Sequence, residues 1–248
     1  MSIAAQVGNA ETSAQTSIAR LGRWTALLLA LLAATAFACG IASPPRSGPF
    51  CTGQCMAYPY TDAVQFVPRD YLWVVPSILL TPLFVVLIAC VHARVRVSKR
   101  PLTLISLCFS SISAAIITLD YFIQFEVVEP SLMKGEINGL ALFTQYNPHG
   151  FFIALEDLGY LMLSVAFLFA CAALGRSSRL EFALQLTFFA AATLAFSSFI
   201  GMSWHFGFNL EYRFEVAIIT ITWAAMIALG VMLVFFFKRP SQSDFSIS

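Results

Sequence analysis

Long runs of apolar residues dominate the chain, and short segments rich in charged and turn-forming residues separate them. Six such runs lie over Trp24–Ala42, Tyr71–Val95, Leu102–Gln124, Phe151–Gly175, Phe182–Trp204 and Val216–Phe237. Each is long enough to cross a hydrocarbon core about 30 Å thick as a helix that rises about 1.5 Å per residue. Backbone amides in that core need internal partners, which a helix supplies. The pattern predicts an all-α fold, a polytopic bundle of six transmembrane helices.

The composition agrees with a membrane protein. Of the 248 residues, 59% are hydrophobic and 11% are charged, whereas a soluble domain carries about 25% charged residues to wet its surface. No polar segment is long enough for a second domain, so we expect one membrane domain over residues 1–248, with the lipid bilayer as its environment. A net charge of +1 without a basic stripe argues against a nucleic-acid partner.

The positions of Lys and Arg predict the orientation. With the N-terminus inside, the cytoplasmic segments hold ten of the 14 basic residues and the outer segments hold four. Positive charge accumulates in cytoplasmic loops, so both termini are predicted to be cytoplasmic. Residues 1–22 then form a flexible cytoplasmic tail, 43–70 and 125–149 are external loops, and 238–248 form the second tail. A prokaryotic inner membrane is the expected location.

The first apolar run has an alternative interpretation. Arg20 and Arg23 precede an Ala/Leu run that ends in Ala36-Phe37-Ala38, which resembles a secretory signal with a cleavage site. Cleavage would leave five helices and an external N-terminus. The long polar leader before Arg20 favours an uncleaved helix.

The first external loop is rich in proline, glycine and aromatic residues, so we expect it to cap the bundle or to pack on the membrane surface. Cys51 and Cys55 lie in this loop, outside the membrane, where a structural disulfide can persist. Cys39 is a third candidate for one bridge, and a redox-active pair is the alternative use. In the second apolar run, Pro76 and Pro82 predict a kinked helix.

Ionisable residues within the apolar runs provide the candidate site, because such residues normally face a bundle interior or a wet cavity. Helical spacing places them in polar stripes near the outer leaflet. We expect the stripes to converge on one outward-opening acidic cavity. The predicted ligand-binding residues are Asp120 and Gln124 on the third helix and Glu156, Asp157 and Tyr160 on the fourth. Two further stripes pair Ser198 with His205 and Glu215 with Thr222.

A simpler alternative is that these side chains only join neighbouring helices by hydrogen bonds. Glu156 would then pair with Arg213 or His205.

Three functions are compatible with this pattern. The first is binding or transport of a small molecule or cation through the acidic cavity. Against a transporter, no inverted repeat is visible, and six helices in one chain would require a homo-oligomer. The second is an accessory or structural subunit of a membrane complex. The third is an intramembrane hydrolase or lipid-modifying enzyme, with His149 and His205 as metal ligands, although no His-Glu-x-x-His spacing occurs. No particular cofactor is indicated.

The run Tyr146-Asn147-Pro148-His149-Gly150, followed by Ala154-Leu155-Glu156-Asp157-Leu158-Gly159-Tyr160, resembles a motif of a family of small prokaryotic integral membrane proteins without an assigned activity. Supporting segments are 67–71, 120–124 and 211–215, and the resemblance covers about 59–239. It implies a six-helix fold and carries over no functional residue.

Overall fold

The computed structural model describes residues 3–239, with side chains from residue 12, and within this range it contains helices and no strand. Six helical spans are long and apolar enough to cross a membrane. The all-α, six-span architecture is therefore confirmed, and the chain is an integral multi-pass membrane protein. The α-helices are α1 (Ile3–Ala42), α2 (Val74–Ser77), α3 (Leu80–Arg94), α4 (Arg100–Ile123), α5 (Glu129–Lys134), α6 (Phe151–Ala173), α7 (Arg179–Phe206) and α8 (Tyr212–Lys238).

The long helices pack in chain order around a closed ring. α1 contacts α3, α3 contacts α4, α4 contacts α6, α6 contacts α7 and α7 contacts α8, while α1 and α8 close the ring. α6 also contacts α8 across the interior. Three buried rings from different helices fill part of this interior, with centroids of Phe84 and Phe167 5.2 Å apart and those of Phe167 and Phe188 5.4 Å apart.

Small residues let α1 and α8 approach closely. A Cβ atom placed on Gly230 would lie 2.7 Å from the Ala26 carbonyl oxygen and 2.8 Å from Ala30 Cβ. Close backbone approach through small residues is a common way to pack membrane helices, because it maximises van der Waals contact. α1 is thus an integral part of the bundle, with Leu29 and Ala33 fully buried.

Two spans extend far beyond their apolar runs, whereas the others differ from theirs by a few residues at each end. α1 begins at Ile3, so residues 3–22 are helical where a flexible tail is expected; extending an existing helix costs far less than starting one. The third span continues through a π-helical turn, Gln124–Val128, into α5. The loop predicted to be the second external one therefore begins after Lys134 rather than at residue 125. The predicted C-terminal tail lies mostly outside the described residues.

The predicted proline kink occurs in the second span. α2 ends at Ser77 and α3 begins at Leu80, because Pro82 cannot donate the hydrogen bond that would join the two segments. The hydroxyl of Ser77 donates to the carbonyl oxygen of Trp73 at 2.6 Å. The break places Trp73 and the preceding turn over the end of the bundle.

The loop after α1 folds onto this same end. Cys51 and Cys55 form a disulfide, and Cys39 is a free thiol. The Ser47 hydroxyl donates to the carbonyl oxygen of Tyr146 at 2.6 Å and lies 2.8 Å from the Tyr212 hydroxyl. The loop thus joins the chain before α6 to the start of α8 and caps the bundle, and we call residues 43–70 the capping loop.

Candidate functional site

Four side chains from three helices form a directional chain of hydrogen bonds in the core. The indole N–H of Trp223 donates to the Tyr160 hydroxyl at 2.8 Å, and the hydroxyl oxygens of Tyr160 and Tyr121 are 3.0 Å apart. The Tyr121 hydroxyl donates a hydrogen bond to Glu156 Oε1. Since each hydroxyl has one proton, Tyr160 must donate to Tyr121, so every donor in the chain points towards Glu156.

The other side of Glu156 faces Glu215 on α8. The two carboxyl groups lie within hydrogen-bonding reach of each other, and among the described residues no N–H or hydroxyl group donates to Glu156 Oε2. Asp120 and Asp157 are close enough to interact electrostatically with Glu215. Asp120 Oδ2 and Asp157 Oδ1 likewise have no donor within the described part of the chain. We call these four residues the carboxyl cluster.

No basic side chain neutralises the carboxyl cluster in residues 12–239, where the ion pairs are Arg46–Asp70, Arg69–Asp70 and Arg213–Glu211. The pairing of Glu156 with Arg213, which the simpler alternative would involve, is not formed, since Arg213 binds Glu211 at 2.7 Å. Pairing with His205 is also not formed, because the structure has Glu156 fully buried and His205 exposed.

A cavity of about 410 Å³ lies between the C-terminal part of α1, the N-terminal part of α8 and the capping loop. Trp73, Trp223 and Glu215 line its inner part, where the two tryptophans are 9% and 2% exposed. Ile41 and Val216, which are 75% and 47% exposed, line its outer part. The cavity is therefore closed at the carboxyl cluster and open at the surface of the bundle.

Aromatic side chains and loop contacts hold the cavity walls in place. The Trp73 ring meets Tyr121 and Trp223 with centroids 5.5 Å and 6.1 Å away. The Tyr212 hydroxyl donates to the carbonyl oxygen of Gln145 at 3.1 Å. Burial raises the pKa of Tyr146, another wall residue, so its hydroxyl group stays protonated.

Three charged residues line the cavity, and two of them neutralise each other. Arg46 Nε lies 2.8 Å from Asp70 Oδ2, and the guanidinium stacks 3.9 Å from the Phe66 ring centroid. The hydrogen bond to Asp70 raises the pKa of Arg46 above its usual value, which keeps the guanidinium charged. Glu215 remains as the cavity-lining acid without a basic partner among the described residues.

The structure brings most of the predicted ligand-binding residues together, but behind the cavity. Asp120, Glu156 and Tyr160 are buried at the same level, and Asp157 is half-buried beside them. None of these lines the cavity. Gln124 is buried in the π-helical turn and donates its amide to the carbonyl oxygen of Phe143 at 2.9 Å, so it fastens the second loop.

The two predicted metal ligands lie apart from the carboxyl cluster. His149 Nε2 is 3.3 Å from Asn209 Oδ1, while His205 is exposed and packs against the Phe206 ring. Among the described residues no group of three or more His, Cys, Asp and Glu side chains could hold a metal ion. The metal hypothesis therefore gains no support from the structure.

Sequence reasoning placed Glu215 in a polar stripe but not among the predicted ligand-binding residues, and it missed Trp223, which lies beside it at the cavity. Glu215 and Trp223 are eight residues apart on one face of α8, with Ile219 between them, and all three line the cavity. This spacing was a usable signal. Aromatic residues near the ends of apolar runs are expected at the headgroup level, yet Tyr121 and Trp73 are buried.

No family model, no curated protein and no solved structure matches this chain, so the family resemblance stays a prediction.

Proposed function

We propose that this membrane protein binds a small organic cation that carries apolar groups, and that the cation replaces a proton held by the carboxyl cluster. The observation that carries the proposal is the position of Glu215. Its side chain lines the cavity and also reaches Glu156 in the buried cluster. A ligand in the cavity therefore contacts the cluster through Glu215.

The cavity lining suits a cation. Arg46 and Asp70 neutralise each other, which leaves Glu215 as the cavity-lining acid that can give up a proton and pair with a bound cation. Trp73, Trp223 and Tyr212 surround the space, and the faces of such rings attract cations by about 0.5–2 kcal/mol each. The volume of about 410 Å³ falls within the range of about 300–1,000 Å³ that small-molecule sites occupy.

The carboxyl cluster provides the proton that is exchanged for the cation. A buried carboxylate without a counter-ion is costly, so four neighbouring carboxyl groups require compensating positive charge. Either a proton or a bound cation can provide it. The cluster thus couples occupancy of the cavity to the release of a proton.

The position of the opening supports an amphiphilic ligand. Ile41 and Val216 lie near the ends of α1 and α8 and are exposed on the outside of the bundle, and lipid and water meet near the ends of membrane-spanning helices. An amphiphile can approach from this interface and place its charged end towards Glu215. Transport of the cation would additionally require Trp73 and Trp223 to move, since they close the inner end.

The same proposal includes a location and an orientation. An excess of basic residues at the opposite end of the bundle supports a cavity that opens outwards, with both termini in the cytoplasm. The family resemblance supports a prokaryotic inner membrane.

Equilibrium dialysis of the detergent-purified protein with tetraphenylphosphonium tests the proposal. Tetraphenylborate, which has nearly the same shape and the opposite charge, is the matched control. We expect saturable binding of the phosphonium that weakens as the pH falls, because protons compete for the same carboxyl groups, and no saturable binding of the borate. Equal binding of both ions, or saturable binding of neither, would contradict the proposal and would favour an accessory role in a membrane complex.

A further inference from the structure

A second cavity, of about 270 Å³, lies at the opposite end of the bundle from the first. It is formed where α3, α6 and α8 end and where α4 and α7 begin. Five basic residues line it, namely Arg94, Arg96, Lys99, Arg176 and Arg239, together with one acidic residue, Glu181. The proposed cation site uses none of these residues.

Hydrogen bonds to neutral groups hold three of the basic side chains at this cavity. Lys99 Nζ donates to the carbonyl oxygen of Ala172 at 3.1 Å, Arg176 Nε donates to Gln185 Oε1 at 2.8 Å, and an Arg239 N–H donates to Ser178 Oγ at 2.7 Å. These bonds use few of their donors, since arginine carries five and lysine three. The remaining N–H groups can donate to a ligand. The side chains also keep their full positive charge, because neutral acceptors do not compensate it.

The one acidic residue in the lining is occupied by the backbone. Glu181 Oε2 accepts a hydrogen bond from the amide of Ser177 at 2.8 Å, and the Glu181 amide donates to Ser178 Oγ at 3.2 Å. This reciprocal arrangement caps the start of α7. In the part of the chain described, no ion pair involves Arg96, Lys99, Arg176 or Arg239. The lining therefore carries a large excess of positive charge.

Apolar residues complete the wall of this cavity. Val95, Leu174 and Phe236 line the same cavity at the ends of their spans. A basic pocket with an apolar edge at the end of membrane helices matches a lipid, whose phosphate lies beside its acyl chains. Free phosphate would bind the basic residues alone and would leave the apolar residues without a role.

We infer that this cavity binds the phosphate headgroup of an anionic phospholipid from the adjacent leaflet, with Arg96, Lys99, Arg176 and Arg239 as the phosphate-binding residues. The headgroup accepts hydrogen bonds from the free guanidinium and ammonium donors, and the first carbons of the acyl chains lie against Phe236 and Leu174. The site would fix one lipid between the ends of α3, α6 and α8.

Native mass spectrometry of the full-length protein in detergent, titrated with dioleoylphosphatidylglycerol or dioleoylphosphatidylcholine, tests the inference. We expect the first phosphatidylglycerol to bind about tenfold tighter than phosphatidylcholine, and Arg176→Gln and Arg239→Gln each to weaken it about fivefold. Arg100→Gln and Arg179→Gln are the matched controls, because these exposed residues lie at the same end and do not line the cavity. Their affinity should equal that of the wild type.

Three results would overturn the inference. The first is the same affinity for both lipids, and the second is an equal loss in the lining and control variants, which would indicate diffuse surface charge. The third is displacement of phosphatidylglycerol by an equal concentration of inorganic phosphate, which would assign the cavity to a free anion. Since the substituted side chains are exposed, unchanged gel-filtration profiles are expected and exclude misfolding as the cause.

Discussion

The Tyr121 hydroxyl joins two parts of the buried network, since it donates to Glu156 and lies 3.0 Å from the hydroxyl of Tyr160. Burial of Asp120, Glu156 and Tyr160 could be expected from the sequence, because ionisable residues in a membrane helix face inwards. The role of Tyr121 could not, since a tyrosine near a helix end is equally typical of the membrane interface. Only the packing of Trp73 over the helix end, 5.5 Å from the Tyr121 ring, decides between the two.

Replacing Tyr121 by Phe should destabilise the bundle. The change keeps the ring but removes the donor to Glu156, which leaves a buried carboxyl oxygen without a partner. We expect the free energy of unfolding to fall by about 1–3 kcal/mol. Tyr58→Phe is the control, since Tyr58 is 68% exposed and its loss should change little. Equal stability of the two variants in denaturant unfolding would show that the hydrogen bond to Glu156 contributes nothing.

At the scale of elements, the apolar runs predict the number of spans and most boundaries. The fourth apolar run, for example, begins at Phe151, and so does α6, the helix that it predicts. They do not predict the π-helical turn Gln124–Val128 that carries the third span on to Lys134. The turn places Gln124 against the second loop, a contact between distant segments that leaves no periodic signal. Nor do they show which helices are neighbours, such as α1 and α8.

The contact of α1 with α8 leads to a prediction for Gly230. In Gly230→Ala the new methyl group would collide with the Ala26 carbonyl oxygen, a backbone atom that cannot rotate away. We expect a loss of about 1–3 kcal/mol of stability from overpacking. Gly201→Ala on α7 is the matched control, since nothing lies within 4 Å of its added Cβ atom. That variant should be unchanged or slightly stabilised, because alanine favours helix.

Thermal unfolding in one detergent compares the two glycine variants. A lower midpoint for Gly230→Ala alone would support the close packing of α1 on α8. Equal midpoints would mean that α1 stands further from α8 than the structure places it.

At the scale of the whole molecule, the two ends of the ring differ in chemistry. Carboxyl groups and aromatic rings lie behind the first cavity, whereas arginine and lysine surround the second. The distribution of charge along the chain predicts this asymmetry, because the six spans alternate in direction. The cavities themselves were beyond sequence reasoning, since each is formed by segments far apart in the chain.

The proposed orientation predicts which positions a membrane-impermeant maleimide labels on intact cells. We expect Asp62→Cys, in the exposed capping loop, to be labelled and Ser98→Cys, in the exposed connection before α4, to be protected until the membrane is opened. Cys51 and Cys55 are joined in a disulfide, and the unsubstituted protein measures the background from its free cysteines. The reverse pattern would place the cavity with the carboxyl cluster on the cytoplasmic side.

The most direct measurement of the central claim is the affinity of Glu215→Gln for tetraphenylphosphonium. Gln keeps the size of the side chain and removes its charge, so we expect binding about tenfold weaker or more than in the wild type. Glu211→Gln, at the start of the same helix but outside the cavity lining, should bind like the wild type. Unchanged affinity in Glu215→Gln, or an equal loss in both variants, would contradict a cation site at the carboxyl cluster.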